Sequence, residues 1–292
     1  MQLRSLLGQR HRSLSGFEDK TLFLGLGPAK TGSTWLYEYL RRHPEFCTSA
    51  LKELHFFSAK YHARTPELFD RRIVRRIREL SSDARLENSL EAQDQLFHLA
   101  ARLRMTKRPE RYLQSFRNNL TSRHRAFGEI SPSYSGLTRE GFAHIHDIHP
   151  RVKLFICLRD PLSRMDSAIR HMALRGKAVS YDEFLSGDVR RKLEFHNMYY
   201  GRILDTIFDV FDPTDVHIQF FEELFDQDAV DKITDFIGIA RCAASFGERF
   251  AHAPPAAEMQ PEHRERLLEL LAPIYAECRR RFGDRIPDSW EL

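Results

Sequence analysis

The 292-residue chain is poor in the features that mark specialised scaffolds. Cysteine occurs four times, at Cys47, Cys157, Cys242 and Cys278, widely spread and without a CxxC pair. That usage argues against a zinc site or a disulfide framework and fits a reducing cytosol. Long apolar runs are missing too: the longest near the N-terminus covers residues 22–26, far below the ~20 residues of a membrane span. Residues 1–20 are polar and basic, without the apolar stretch of a signal peptide. There is no internal repeat and no low-complexity linker. Hydrophobic residues make up 42% and charged residues 29%, with a mean hydropathy of −0.48. Those values exclude a disordered or fibrous chain, and the length suffices for one large α/β domain or two small ones.

Charge is unevenly placed. The net value is +4, but residues 60–125 carry 16 Lys and Arg against 8 Asp and Glu, or +8, so the remainder carries −4. Such a segment suits an anionic partner, whether a phosphorylated nucleotide, an acidic glycan or nucleic acid. A solvated helix face explains it equally well.

Periodicity predicts alternating strands and helices. Residues 21–27 (TLFLGLG) read as a buried strand ended by Gly-Pro, and 32–42 as a helix with Leu36, Tyr39 and Leu40 on one face. Residues 71–80 place Ile73, Val74, Ile77 and Leu80 at helical spacing with arginines opposite. Further strands are expected at 126–130, 152–158 and 216–221. Helices are expected at 161–175, starting at Pro161, through most of 181–211, at 227–238, and at 261–282, starting at Pro261. This order implies an α/β fold, a three-layer parallel sheet with helices on both faces. Ligands on such sheets lie at the carboxyl ends of the strands, so the loops after Leu26 and Leu158 are the places to look.

The first loop, GPAKTGST over 27–34, joins a strand to a helix. Glycines permit close backbone approach, the helix N-terminus offers free N–H groups, Lys30 adds a point charge, and Ser33 and Thr34 add hydroxyls. These are the parts of a phosphate cradle; the plain alternative is a tight turn without a ligand. The loop nearly spells the ATP-binding pattern G-x-x-x-x-G-K-[ST], but Ser33 follows Gly32 where that pattern needs lysine. ATP hydrolysis is therefore disfavoured. In the second loop, LRDPLSRMDSAIRH, Arg159 ends a strand and Ser167 lies eight residues on in the next helix. A guanidinium fork and a hydroxyl so placed can hold a second phosphate. Arg164 and Arg170 read as surface charges of that helix. In KELHFF, two possible proton carriers, Glu53 and His55, face the same side if the segment is extended; a salt-bridged, partly buried pair is the bland alternative.

Together these motifs resemble the sulfotransferases that use 3′-phosphoadenosine 5′-phosphosulfate (PAPS). GPAKTGSTWL is similar to their 5′-phosphosulfate loop, and Arg159 with Ser167 to their 3′-phosphate pair. Lys52-Glu53-Leu54-His55-Phe56-Phe57 is nearest to the motif of the heparan sulfate glucosaminyl 3-O-sulfotransferase-like group. GEISPSY at 128–134 resembles the same group's Glu-Lys-(Thr/Ser)-Pro-x-Tyr, except that Ile130 replaces the lysine. The likeness spans about 21–225. It implies a P-loop-like sulfotransferase fold in a single domain over 21–292, after a polar tail at 1–20. Residues 58–125 would form a helical, basic insert on the acceptor side.

The resemblance also implies a mechanism. Sulfuryl transfer from PAPS to an acceptor hydroxyl, on a sugar or other aliphatic group, would use Glu53 as base, with His55 as helper or second candidate. Lys30 would stabilise the leaving phosphate. The donor would be held by Lys30, Thr31, Gly32, Ser33, Thr34, Arg159 and Ser167. No metal is needed where Lys30 and a helix N-terminus supply positive charge. The partners expected are a small-molecule or glycan acceptor, with no nucleic acid and no membrane span, in a soluble bacterial enzyme of the cytoplasm. Two rival readings are a P-loop nucleotide phosphotransferase and a non-catalytic polyanion-binding protein. His43 is expected as a helix cap, Trp290 as a packing anchor and the glutamates at 222–223 as structural. Tyr199 and Tyr200 are expected in the core or the acceptor cleft. Arg249 and His252 are candidates to close over adenine.

Overall fold

The computed structural model describes residues 17–82, 89–174, 180–247 and 259–290. Five strands form one parallel sheet: β1 (Thr21–Gly25), β2 (Phe46–Thr48), β3 (Ala126–Ile130), β4 (Val152–Leu158) and β5 (Val216–Phe220), in the order β2-β3-β1-β4-β5. β1 is thus central, with the chain crossing to β3 on one side and β4 on the other. That reversal opens a crevice at the carboxyl end of β1. Every strand pair is parallel, so both faces must be covered, and the strand sequences agree: β3 is buried throughout.

The side-chain alternation of β1 divides the core. Phe23 points to the face covered by α1 (Ser33–Arg42) and α11 (Gln227–Ile237), through Leu36, Leu40, Ile233 and Ile237. Leu22 and Leu24 point to the other face. There they meet α6 (Arg139–Ile148), α7 (Pro161–Leu174), α10 (Tyr200–Phe208) and α12 (Pro261–Phe282). β4 repeats the pattern, with Phe155 and Cys157 on one side and Leu154, Ile156 and Leu158 on the other. The three-layer architecture and its principal strands are those expected.

Between β2 and β3 stand four helices, α2 (Ser58–Tyr61), α3 (Pro66–Ser81), α4 (Leu90–Lys107) and α5 (Arg111–Arg117). α3 and α4 pack on each other through Ile73, Leu80 and Leu99, leaving the α3 arginines Arg71, Arg72, Arg75, Arg76 and Arg78 exposed. The single helical stretch expected over 181–211 is three helices, α8 (Tyr181–Leu185), α9 (Val189–Phe195) and α10. Ser180 and Asp188 cap the first two with their side chains, and Asn197 at φ 51 breaks the chain before the third. Of the expected polar tail, the described part is already packed: Phe17 is buried against Phe127 and Lys20 donates to the His124 carbonyl. All four cysteines are free thiols.

Candidate active site

The loop after β1 is held from both neighbours. The Leu26 amide donates to the Phe155 carbonyl, and the Ser135 amide to the Leu26 carbonyl. Gly32 then enters α1 at φ 79, a backbone conformation that suits glycine; a Cβ there would also meet Leu224 Cδ2 at 2.6 Å. Lys30 is left-handed as well, at φ 72. The Thr31 hydroxyl turns inward and donates to the Pro28 carbonyl at 2.7 Å. Of the expected donor ligands, Thr31 therefore offers a ligand its backbone rather than its side chain. Ser33 and Thr34 stand on the first turn of α1, beside its free N–H groups.

Arg159, some 130 residues downstream, meets this loop directly: its Nη1 donates to the Lys30 carbonyl at 3.1 Å. The guanidinium lies over the Phe221 ring at 4.3 Å, and its buried Nε has no hydrogen-bond partner among the described residues. Burial pulls its pKa down and the charge of Arg170 adds to that, while Glu222, Tyr200 and Asp160 oppose. Arg170, expected as a surface charge, is half-buried. It pairs with Asp166 at 2.5 Å, and its own Nε is buried without a partner. Two neighbouring guanidiniums with unmet donors, and Ser167 one turn earlier on α7, fit an anionic group.

Arg164, also expected at the surface, requires correction, being 2% exposed. Its Nε donates to the Ala29 carbonyl in the loop, and its other nitrogens to Asn197 O, Tyr200 Oη and His196 O. It ties the loop after β1 to the segment before α10. Tyr200 is fully buried and donates to the Arg159 carbonyl. Asp160 caps α7 by accepting from the Ser163 amide and receives the Tyr275 hydroxyl. Glu222 accepts from the Asp160 amide and from the Trp290 indole, so the glutamate and the tryptophan are structural, as expected. His43 caps α1 and bonds the Ala240 carbonyl. Arg249 and His252 lie outside the described residues.

The KELHFF segment leaves β2 and crosses the end of β3. Glu53 and His55 do meet, with His55 Nε2 3.3 Å from Glu53 Oε2, although His55 sits at φ 52 and the segment is no regular strand. His55 Nδ1 lies 2.8 Å from Ser133 Oγ, which in turn bonds Ser58 Oγ. Burial, with Arg102, Arg72, Lys52 and His62 adding, lowers the His55 pKa to about 3. The ring is therefore neutral over the whole neutral range. Lys52 reaches back to α1, its Nζ donating to Thr34 Oγ1 at 3.1 Å and lying 3.9 Å from Glu53 Oε1.

Two buried groups fix the backbone of this segment: the glutamate of GEISPSY and an arginine that did not stand out in the sequence. Glu129 on β3 accepts from the Leu54 amide and from Ser131, Tyr112 and Tyr134 hydroxyls. Burial raises its pKa and the three hydroxyls hold it back. Arg102 on α4, fully buried, donates to the carbonyls of Leu54 and His55, to Thr106, and pairs with Asp70. The turn Pro132–Gly136 places Ser133 against His55 and Ser135 at a cavity of about 140 Å³. Its polar lining includes His62, Arg64, Asn197, Tyr199 and Arg202.

Residues 23–242 match the sulfotransferase family. Among solved structures, the chain is similar to a sulfotransferase from Alicyclobacillus acidocaldarius, at TM-score 0.63 and 22% identity over 94% of this chain and 99% of that one. It is also similar to the sulfotransferase domain of the Synechococcus PCC 7002 olefin synthase, at TM-score 0.49 and 14% identity over 87% and 95%. A sulfotransferase from Mycobacterium avium gives TM-score 0.49 and 14% identity over 91% and 77%. No curated protein sequence matches.

Proposed function

The chain belongs to the sulfotransferase family, and from that premise we propose that it takes its sulfuryl group from PAPS and delivers it to an aliphatic or sugar hydroxyl. The observation that carries this reading is the 3.1 Å contact between Arg159 Nη1 and the Lys30 carbonyl. It brings the loop suited to one phosphate within reach of the guanidinium suited to another. A ligand with anions at both ends of one nucleoside matches such a pair. The unmet donors of Arg159 and Arg170 support the same fit.

PAPS, when bound, supplies a sulfuryl group on a stable phosphate leaving group. The first-turn amides of α1 with Ser33 and Thr34 hold the 5′ end, and Arg159, Ser167 and Arg170 the 3′ end. Lys30 would neutralise the growing charge on the leaving oxygen. Glu53 takes the acceptor proton. His55 suits the base role poorly, because a ring with a pKa of about 3 has little affinity for a proton at neutral pH. Its part is to orient: a neutral ring that turns an Nε2 proton toward Glu53 leaves Nδ1 to accept from Ser133, whose oxygen can then accept from Ser58.

KELHFF supports kinship with the glucosaminyl 3-O-sulfotransferase-like group, whereas Ile130 in place of lysine departs from it. The polar cavity beside Ser135 favours a hydroxyl-bearing, hydrogen-bonding acceptor over a plain phenol. Calorimetry with adenosine 3′,5′-bisphosphate tests the donor assignment. Binding by the wild type that is lost in Arg159→Ala is the expected result. A wild type that ignores this nucleotide overturns the assignment. A screen with radiolabelled PAPS across sugars, alcohols and phenols then identifies the acceptor class.

A further inference from the structure

Sulfuryl transfer places negative charge on three sulfuryl oxygens and on the departing phosphate, and one lysine covers only part of that surface. β3 supplies no second cation. Ile130, at its carboxyl end, is buried, and it lies so close to β1 that a Cβ on Gly25 would meet its side chain at 2.9 Å. The position is spent on closing the sheet.

A second cation comes instead from the segment that carries the base. Lys52 is adjacent in sequence to Glu53, and its side chain is 18% exposed. Its ammonium sits at an electrostatically poor place for a resting cation. The short bond is to the neutral Thr34 hydroxyl at 3.1 Å, on the first turn of α1 and thus at the positive end of that helix. The nearest carboxylate oxygen, of Glu53, is at 3.9 Å, beyond the 2.7–2.9 Å typical of a charge-assisted hydrogen bond. Burial lowers the Lys52 pKa, only partly opposed by Glu53 and Glu38. A buried cation pressed against a helix N-terminus gains most when an anion enters between them.

We propose that Lys52 is a catalytic residue whose ammonium contacts the sulfuryl oxygens of the donor, between the first turn of α1 and Glu53. The inference rests on the donor reading above. In the step it serves, the acceptor oxygen forms a bond to sulfur and the bond from sulfur to the 5′-phosphate oxygen breaks. The electron pair leaves with the phosphate, and the acceptor proton passes to Glu53. Lys52 gains no proton and loses none; it supplies charge and a donor along the line of transfer. Its flexible stem lets it leave Thr34 for the sulfuryl oxygens without moving the backbone.

Calorimetry without acceptor, comparing PAPS with adenosine 3′,5′-bisphosphate, isolates this contact, because the two nucleotides differ in the sulfuryl group. Lys52→Ala is expected to lose tenfold or more of its PAPS affinity, the amount of a hydrogen bond to a charged group. Its affinity for the bisphosphate should stay within about twofold, which also reports that the protein is folded. Lys52→Arg, which keeps the charge, should recover most of the loss. Equal weakening of both nucleotides, or of neither, overturns the role of Lys52 and leaves the donor reading standing. A wild type that binds neither nucleotide removes the donor reading and this proposal with it.

Discussion

At the residue scale, the division of labour between Glu53 and His55 follows from solvation. The two side chains touch at 3.3 Å, yet only Glu53 suits the proposed base role. The His55 ring is packed against Phe69, committed to Ser133 and surrounded by Arg102 and Arg72, all of which disfavour a positive charge. The Glu53 side chain keeps 27% of its surface open, so an acceptor can reach it. Glu53→Gln preserves shape and removes basicity. It should lower kcat by about 10²–10⁴-fold, the usual contribution of a positioned general base, while calorimetric affinity for adenosine 3′,5′-bisphosphate stays unchanged. His55→Gln should cost less, since it alters orientation rather than proton affinity. A Glu53→Gln enzyme with near-normal turnover would return the base assignment to His55.

At the element scale, α4 braces the KELHFF segment. Its Arg102 crosses to the KELHFF segment and holds two successive carbonyls, while Glu129 on β3 holds the Leu54 amide from the opposite side. The segment is therefore clamped between α4 and the sheet. Arg102→Met leaves these buried carbonyls without their donor, while Asp70, with a side chain 33% exposed, can turn to solvent. Urea unfolding should register a loss of about 1–3 kcal/mol, the cost of leaving a buried acceptor without its donor. Arg75→Ala, on the exposed face of α3 with a side chain 73% accessible, should stay within about 0.5 kcal/mol. Equal, small effects for both would show that the clamp contributes nothing. These arginines also mark how far local sequence carries. GPAKTGST was readable as a strand-to-helix loop because its signal is local: strand, glycines, lysine and helix start lie within one short run. Strands at 126–130 and 152–158 were readable as apolar runs, whereas β2, three residues long, gave no periodic signal. Arg102 was indistinguishable from the other members of a basic segment. Arg164 looked like a solvent-facing helix residue because its partners Ala29, His196 and Asn197 are brought to it only by the folded chain.

At the scale of the whole molecule, the central placement of β1 lets loops 130 residues apart share one crevice, and the burial that builds the crevice also traps neutral histidines. Among the described residues seven histidines, His55, His62, His124, His144, His149, His196 and His217, have pKa values lowered first of all by burial. For His55 the value is about 3, and for His62 and His196 about 4. In the unfolded chain the same rings titrate near 6.5. Between those limits the unfolded state binds more protons than the folded one, so stability rises with pH across that window. The histidine contribution is complete above about pH 6.5 and is lost as pH falls toward 4 and then 3. Glu129 acts in the opposite sense, because its raised pKa lets the folded state hold a proton more readily than the unfolded, but it is one group against seven. The urea midpoint should therefore fall steadily from pH 7 to pH 5, with little change in slope. His196→Gln, which removes one such ring from beside Arg164, should flatten the fall. A midpoint that is level over this range would mean that the rings are protonated, and hence solvated, in the folded protein, and the neutral orienting role given to His55 would fail with it.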